Sequence, residues 1–282
     1  MVENKILIVD GSNLLFQMFY GMPNKIIGRS GRPIHGTVGF VGALLKIIRM
    51  TRPTHVAVLF DGACKNERVE LDAEYKANRP DYSEMPDDEI PFSQLPDIYA
   101  ALDEMGISHA ETTVCETDDW VAAYALSLGR ENDMVISSFD SDFFQLINER
   151  VSVLRYRGDA SVLYTPGYVY EKLGIHPCQY ADYKCMIGDT ADNIKGVPKV
   201  GPKTAAALLA EHGTLDCLLE NADTVKRESI RTAIIEGRER LMHNRRLILL
   251  EGKAELPFSL DEIEYRPYAR TSSDVLRAIG IF

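Results

Sequence analysis

Three apolar runs of strand length dominate the first half of the chain, and each closes on aspartate. KILIVDG ends at Asp10-Gly11, HVAVLFDG at Asp61-Gly62, and DMVISSFDSD at Asp140 and Asp142. Short β-branched runs bounded by Gly or Asp are the mark of buried parallel strands. Helical period fills the gaps between them, best at 36–50 (GTVGFVGALLKIIRM) and 118–128 (DDWVAAYALSL). The alternation predicts an α/β fold built on a parallel sheet. Ligands of such sheets bind beyond the carboxyl ends of the strands, where all three aspartate ends fall.

The chain has 282 residues, 45% hydrophobic and 26% charged, which is a globular composition with room for one large domain or two small ones. No run approaches the length of a membrane span, and the N-terminus carries Glu3 and Lys5 with no small-residue cleavage site, so neither a span nor a secretory signal is predicted. The five cysteines (Cys64, Cys115, Cys178, Cys185 and Cys217) are scattered, with no C-x-x-C pair. That is the usage of a reducing cytoplasm, not of a disulfide scaffold or structural zinc site. A net charge of −11 argues, taken alone, against a nucleic-acid partner, because phosphate binding rests on clustered Lys and Arg.

From Asp72 to Pro96 the sequence turns polar, with four prolines and no long apolar period, too long for an ordinary connection. It reads as a functional loop or helical excursion. From about residue 167 the strand signals stop and the chain reads as all-helical, giving an expected division into residues 1–166 and 167–282.

Five segments carry acids in similar settings: Asp10; Asp61; Glu116, Asp118 and Asp119 in CETDDW; Asp140 and Asp142 in FDSDF; Asp189 and Asp192 in GDTADN. A lone Asp is usually a helix cap or a turn residue. Nine converging carboxylates cannot stay unpaired, because their mutual repulsion is severe. Convergence therefore requires divalent cations, and an all-oxygen donor set suits Mg²⁺ or Mn²⁺ rather than Zn²⁺. Two such ions would drive in-line attack of water on a phosphodiester. An aspartyl-phosphate phosphatase needs a second acid two residues after the first, and Gly11-Ser12 follows Asp10 instead.

GVPKVGPKT at 196–204 adds a second signal. Two glycines five apart make a tight turn between helices, whose backbone N–H groups at a helix N-terminus suit a phosphate. Lys199, Lys203 and Thr204 add charge and a hydroxyl, although such a loop also serves as a plain helix–helix connection.

Over essentially its whole length the sequence resembles the 5′-nuclease family: flap endonucleases, phage 5′-exonucleases and the 5′-nuclease domain of bacterial DNA polymerase I. The resemblance rests on ILIVDGSNLLF, on FDG…R…EYKANRP, on CETDDW as an E-x-D-D box, on FDSDFFQL as a D-x-D-x-x-Q-L box, and on GDTADNIKGVPKVGPKTAAALL. It implies a parallel-sheet nuclease core (PIN-like) with a helical arch at about 72–96 and a helix–three-turn–helix DNA-binding region at about 186–210. Asp10, Asp61, Glu116 and Asp118 would hold the ion that activates water. Asp140, Asp142, Asp189 and Asp192 would hold or orient the second, with Asp118 or Asp119 between them. Lys76 and Arg68 would lie on a helix at the arch base and stabilise charge on the transferring phosphate, and Tyr75 would stack a terminal base. The 196–204 turn (Gly196, Val197, Lys199, Val200, Gly201, Lys203, Thr204) would grip duplex backbone and hold K⁺ through backbone carbonyls, with Arg79 part of the local basic grip.

The resemblance thus implies a monomeric, cytoplasmic 5′→3′ exonuclease and flap endonuclease for DNA replication and repair, with two Mg²⁺ (or Mn²⁺), DNA carrying 5′ ends or 5′ flaps, and no membrane. Glu67 and Asp72 depart from the family's aromatic or apolar residues, Phe139 replaces a glycine and Lys195 a proline; none removes a ligand. A related compact ribonuclease would lack the 180–210 region, and a non-catalytic DNA-binding module would have lost carboxylates. The six histidines (His35, His55, His109, His176, His212 and His243) show no ligand spacing. Trp120 reads as a core anchor, Phe19 and Tyr20 as core, and the basic run 237–247 as a solvated helix face or a duplex contact in equal measure. Setting the nine carboxylates aside leaves −11 + 9 = −2 for the rest of the molecule, so the acidity is largely the site itself.

Overall fold

The protein is described by a computed structural model covering residues 4–62, 67–82, 85–267 and 269–282. Cys64 lies outside the described residues. Six strands form the sheet: β1 (Lys5–Asp10), β2 (His55–Phe60), β3 (Ser108–Glu111), β4 (Asp133–Ser137), β5 (Val151–Arg155) and β6 (Val162–Tyr164). Their order is β3-β2-β1-β4-β5-β6, all parallel except β6, which runs antiparallel on β5. The expected parallel α/β sheet is present. Its additional strands were hidden for local reasons: β3 (SHAE) has a single apolar residue, and β6 is three residues long.

The helices that follow in chain order are α1 (Gly11–Gly21), α2 (His35–Thr51), α3 (Glu67–Leu71), α4 (Leu95–Glu104), α5 (Thr117–Ser127), α6 (Pro166–Leu173), α7 (Tyr180–Ile187), α8 (Pro202–His212), α9 (Leu215–Glu220), α10 (Glu228–Glu236), α11 (Arg238–Ile248) and α12 (Ser272–Ala278). Among them α2 and α5 match the expected helices to within one residue at each end.

The pleat of β1 explains the layering. Leu7 and Val9 point to one face, into a core shared with α1, α2, α4 and α12; Ile6 and Ile8 point to the other, into a core shared with α5 and α7–α11. A strand buried on both faces must be apolar at every position, which is why KILIV and HVAVLF are continuous runs. Trp120 anchors α5 in the second core, as expected. Phe19 is buried, but Tyr20 is 58% exposed, so Tyr20 does not pack in the core. Near the end of α1, its ring meets the half-buried Phe16 and the edge of Phe19, and its hydroxyl interacts with Tyr82.

Two expectations need adjustment. The described residues of 72–96 form turns and 3₁₀ segments at Asp87–Glu89 and Pro91–Gln94, with α4 opening at Leu95. Residues 83 and 84 of that stretch are outside the described residues. Its prolines lack the N–H a continuous helix needs, which accounts for the absence of a long arch helix among the described residues. Nor is the region after residue 167 purely helical: β7 (Gly188–Asp189) and β8 (Ile194–Lys195) pair antiparallel. The chain leaves α7 through Gly188 at φ +81°, and a Cβ on Gly196 would sit 2.4 Å from the Ile187 carbonyl carbon. Only glycine lets the two backbones approach so closely, and the loop they pinch carries Asp189 and Asp192.

Among the described residues no helix is long and apolar enough to cross a membrane.

Candidate metal centre

The strand order reverses at β1: β2 and β3 lie on one side of it, β4 and β5 on the other. Such a switch point opens a crevice at the carboxyl ends, and Asp10, Asp61, Asp140 and Asp142 all follow strands that end there. Asp10 caps α1, its Oδ1 accepting from the Asn13 N–H at 2.9 Å and its Oδ2 from the Ser138 hydroxyl at 2.8 Å. Asp61 is exposed, with its N–H donating to Ser12 Oγ (2.8 Å) and its Oδ1 accepting from the Thr117 N–H at the start of α5 (3.0 Å). Behind it Gly62 presses on β3's exit, where a Cβ would lie 2.1 Å from the Thr112 carbonyl oxygen.

Carboxylate oxygens of Asp142, Asp189 and Asp192 lie within 4.8 Å of one another. Asp142 Oδ1 is buried and receives no hydrogen bond. An orphaned buried carboxylate oxygen beside two others is the donor set a hard divalent cation takes, so these residues fit one. Asp140 links this trio to the rest: it acts electrostatically on Asp10, on Asp118 and on Asp142, and Asp118 in turn feels Glu116 and Asp61.

Four basic side chains are laced through the acids. Arg68, on α3, donates to Glu116 Oε2 (2.9 Å), to both oxygens of Asp119 (2.7 and 3.0 Å) and through Nε to the Leu247 carbonyl (2.9 Å). Lys76 donates to Glu116 Oε1, and Arg79 to Asp192 Oδ1 at 3.0 Å. Lys184 donates to Asp189 Oδ2 and stands 3.2 Å from Asp142 Oδ1. These contacts alter three expectations. Asp119 is taken by the Arg68 fork and by the Glu116 N–H that completes the α5 capping box, so Asp118 alone of the pair faces the other acids. Lys76 does not ride on a helix: it sits in a turn at φ +56°, its N–H donating to the Asp192 carbonyl at 3.0 Å. A non-glycine residue held there is strained, and what holds it is the same loop that carries the acids. Tyr75 is 5% exposed and presents no open face; its hydroxyl instead donates to Glu116 Oε2 at 3.1 Å.

In the 196–204 turn, Lys199, Gly201 and Lys203 are exposed while Val197 and Val200 are buried, and the Val197 N–H donates to the Met186 carbonyl at 2.8 Å, which holds the turn against α7. Gly201 caps α8 and Pro202 takes the first turn, where a missing N–H costs nothing. Arg240 of the basic run donates to the Gly196 carbonyl at 3.3 Å, and Arg245 pairs with Asp216 at 2.7 Å. Asp72, one of the departures, pairs with His243 at 2.8 Å and ties the base of the 72–96 stretch to α11.

Burial first, and then the charge of Asp61, pushes Asp10 up to about 7; burial and then Asp140 push Asp142 up to about 7. Asp118 and Asp140 are raised too, mainly by burial. A carboxyl that binds its proton more tightly folded than unfolded stabilises the fold while protonated, and that stability is lost as pH rises through its folded value. Protein stripped with EDTA should therefore lose roughly 2 kcal/mol, or about 5 °C in Tm, between pH 6 and 8. Saturating Mg²⁺ should reverse the trend, because metal competes with those protons. A flat melting temperature in EDTA across this range would contradict the electrostatic picture.

Sequence reasoning missed Lys184, whose signal is a lone lysine among the apolar residues of α7, and the polar clamps Ser12, Ser138, Gln145 and Asn244. Gln145 ties the Asp142 carbonyl to Ile248 and Leu250, and Asn244 bonds the Cys185 and Lys195 carbonyls across the β7–β8 pinch.

Residues 5–174 match the family described as 5′-3′ exonuclease, N-terminal resolvase-like domain, and residues 175–271 match 5′-3′ exonuclease, C-terminal SAM fold. DNA polymerase I of Streptococcus pneumoniae is 32% identical over 271 residues, covering 94% of this chain and 30% of that protein. The thermostable DNA polymerase I of Thermus thermophilus is 34% identical over 261 residues, covering 92% and 30%. The chain thus spans about 30% of the length of these curated relatives. In fold, it is similar to the T5 D15 protein crystallised with metal ions (TM-score 0.73, 22% identity, 98% of this chain and 99% of that one) and to the catalytic core of Rad2 in complex with DNA substrate (0.61, 16%, 99% and 86%).

Proposed function

The chain belongs to the 5′-3′ exonuclease family, and from that premise we propose that it hydrolyses DNA phosphodiesters at 5′ ends and 5′ flaps by a two-metal reaction, in replication and repair. The observation that carries the reading is the convergence of acids from separate segments at the sheet's switch point, with basic side chains held among them. Asp10, Asp61, Glu116 and Asp118 serve one divalent ion, and Asp140, Asp142, Asp189 and Asp192 the other, Mg²⁺ or Mn²⁺ by donor type. When bound, the ions supply an activated water and neutralise charge on the scissile phosphate.

The remaining work falls to the chain's own groups. Ser138 and the Asn13 N–H aim Asp10, and Ser12 and the Thr117 N–H aim Asp61. Arg68 keeps Glu116 and Asp119 in place. Lys76 offers an ammonium to the phosphoryl oxygens, and Arg79 offers a guanidinium that is half exposed at the edge of the site. The helical half (167–282) grips duplex through Lys199, Lys203, Thr204 and the backbone from Gly196 to Gly201, with K⁺ on the turn's carbonyls. The sheet half (1–166) carries the chemistry. The enzyme works as a monomer in the cytoplasm.

The test is a comparison of three labelled substrates with Mg²⁺: a 5′-flapped duplex, a nicked duplex and a single strand. Cleavage near the flap junction, faster than on the single strand and leaving 5′-phosphates, is expected. An intact flap, or equal cutting of all three, would overturn the reading.

A further inference from the structure

Lys184 has no part in the reading above, yet its position is singular. It rises from α7, its side chain only 8% exposed, and its ammonium lies between Asp142 and Asp189, two of the three acids whose oxygens converge within 4.8 Å. Its hydrogen bond goes to Asp189 Oδ2; toward Asp142 Oδ1, 3.2 Å away, it contributes charge without a hydrogen bond, and that oxygen has no other donor. The third acid, Asp192, is already satisfied by Arg79. One buried monocation therefore stands where a dication fits, beside an Asp142 oxygen that no hydrogen bond satisfies.

We propose that Lys184 is a resident counter-ion of the second metal site. Resting on the metal reading of that site, this makes Lys184 a positioning residue. It holds Asp142 and Asp189 together while no ion is bound, and it yields Asp142 while keeping Asp189 when an ion enters. An ammonium and a divalent ion a few ångströms apart in a buried pocket repel each other, so the lysine weakens the second site relative to the first. It also spares the protein a bare cluster of buried acids, whose repulsion would otherwise oppose folding. Tyr180 and Cys185, on α7 beside Lys184, are buried as well.

Calorimetric titration of Mn²⁺ into DNA-free protein tests the inference, together with melting temperatures in EDTA and in saturating Mn²⁺. Wild type should take up two ions, the second more weakly. Lys184→Met should bind that second ion about tenfold or more tightly, melt lower in EDTA and gain more from Mn²⁺ than wild type does. Lys184→Arg, which keeps the charge, should retain the weak second site and the EDTA stability, and it serves as the readout should the methionine variant fail to fold. In that event, an arginine variant that bound the second ion tightly would overturn the proposal. So would equal second-site affinity and equal metal-free melting in wild type and Lys184→Met. Failure of wild type to bind any second ion would instead strike the two-metal reading.

Discussion

Lys76→Ala should lower single-turnover cleavage of a 5′-flapped duplex by about 10³-fold, the usual scale for removing one preorganised charge from a transition state. Its affinity for the same duplex, measured with Ca²⁺ in place of Mg²⁺, should stay within about threefold, because phosphate grip is spread over many contacts. The asymmetry follows from where the ammonium sits. Burial disfavours the charge on Lys76, but Glu116, Asp118 and Asp192 together outweigh it and hold the ammonium above the usual lysine range, so it carries its charge at any working pH. Glu116 keeps Arg68 and Tyr75 as partners when Lys76 is cut back, so the acid cluster does not collapse. Equal loss of binding and rate would remove Lys76 from the chemical step. Lys76→Arg, with charge restored at a different reach, should recover part of the rate.

Asp142→Asn should be as severe, costing at least about 10³-fold in rate, since it neutralises the carboxylate whose buried Oδ1 is, among the described residues, the buried carboxylate oxygen without a hydrogen bond. Its stability should move the other way. Burial and Asp140 disfavour the charge on Asp142, so a neutral isostere should leave the EDTA-treated protein at pH 8 no less stable than wild type. Activity lost with stability kept would mark Asp142 as a residue maintained for function against the interest of the fold. A variant within tenfold of wild-type rate would exclude Asp142 from the site.

Much of this was legible in the sequence because buried parallel strands advertise themselves. β1, β2 and β4 are each continuous apolar runs, and their terminal aspartates land at the switch point the strand order creates. Harder to read were features made by tertiary contact. Nothing local in EYKANRP says that Tyr75 turns its ring inward while Lys76 adopts a left-handed backbone; the first follows from Glu116, 41 positions beyond Tyr75, and the second from the Asp192 carbonyl, which accepts from the Lys76 N–H across the fold. Asp119 shares its box with Asp118, and which of them faces the cluster is decided by Arg68, which arrives from α3. The β7–β8 pair is two residues on each side, below any periodicity, and exists because Gly188 and Gly196 permit contact. The opening objection of acidity dissolves in the same geometry, since the acids are gathered in one place and four cations are already distributed among them.

The most direct measurement is the rate of cleavage of a 5′-flapped duplex as Mg²⁺ is raised from zero in EDTA-stripped protein. Two-metal hydrolysis predicts no cleavage without metal, a rate that climbs more steeply than first order at low Mg²⁺, and products ending in 5′-phosphate. Cleavage at the same rate in EDTA, or a strictly first-order dependence down to the lowest concentrations, would contradict it.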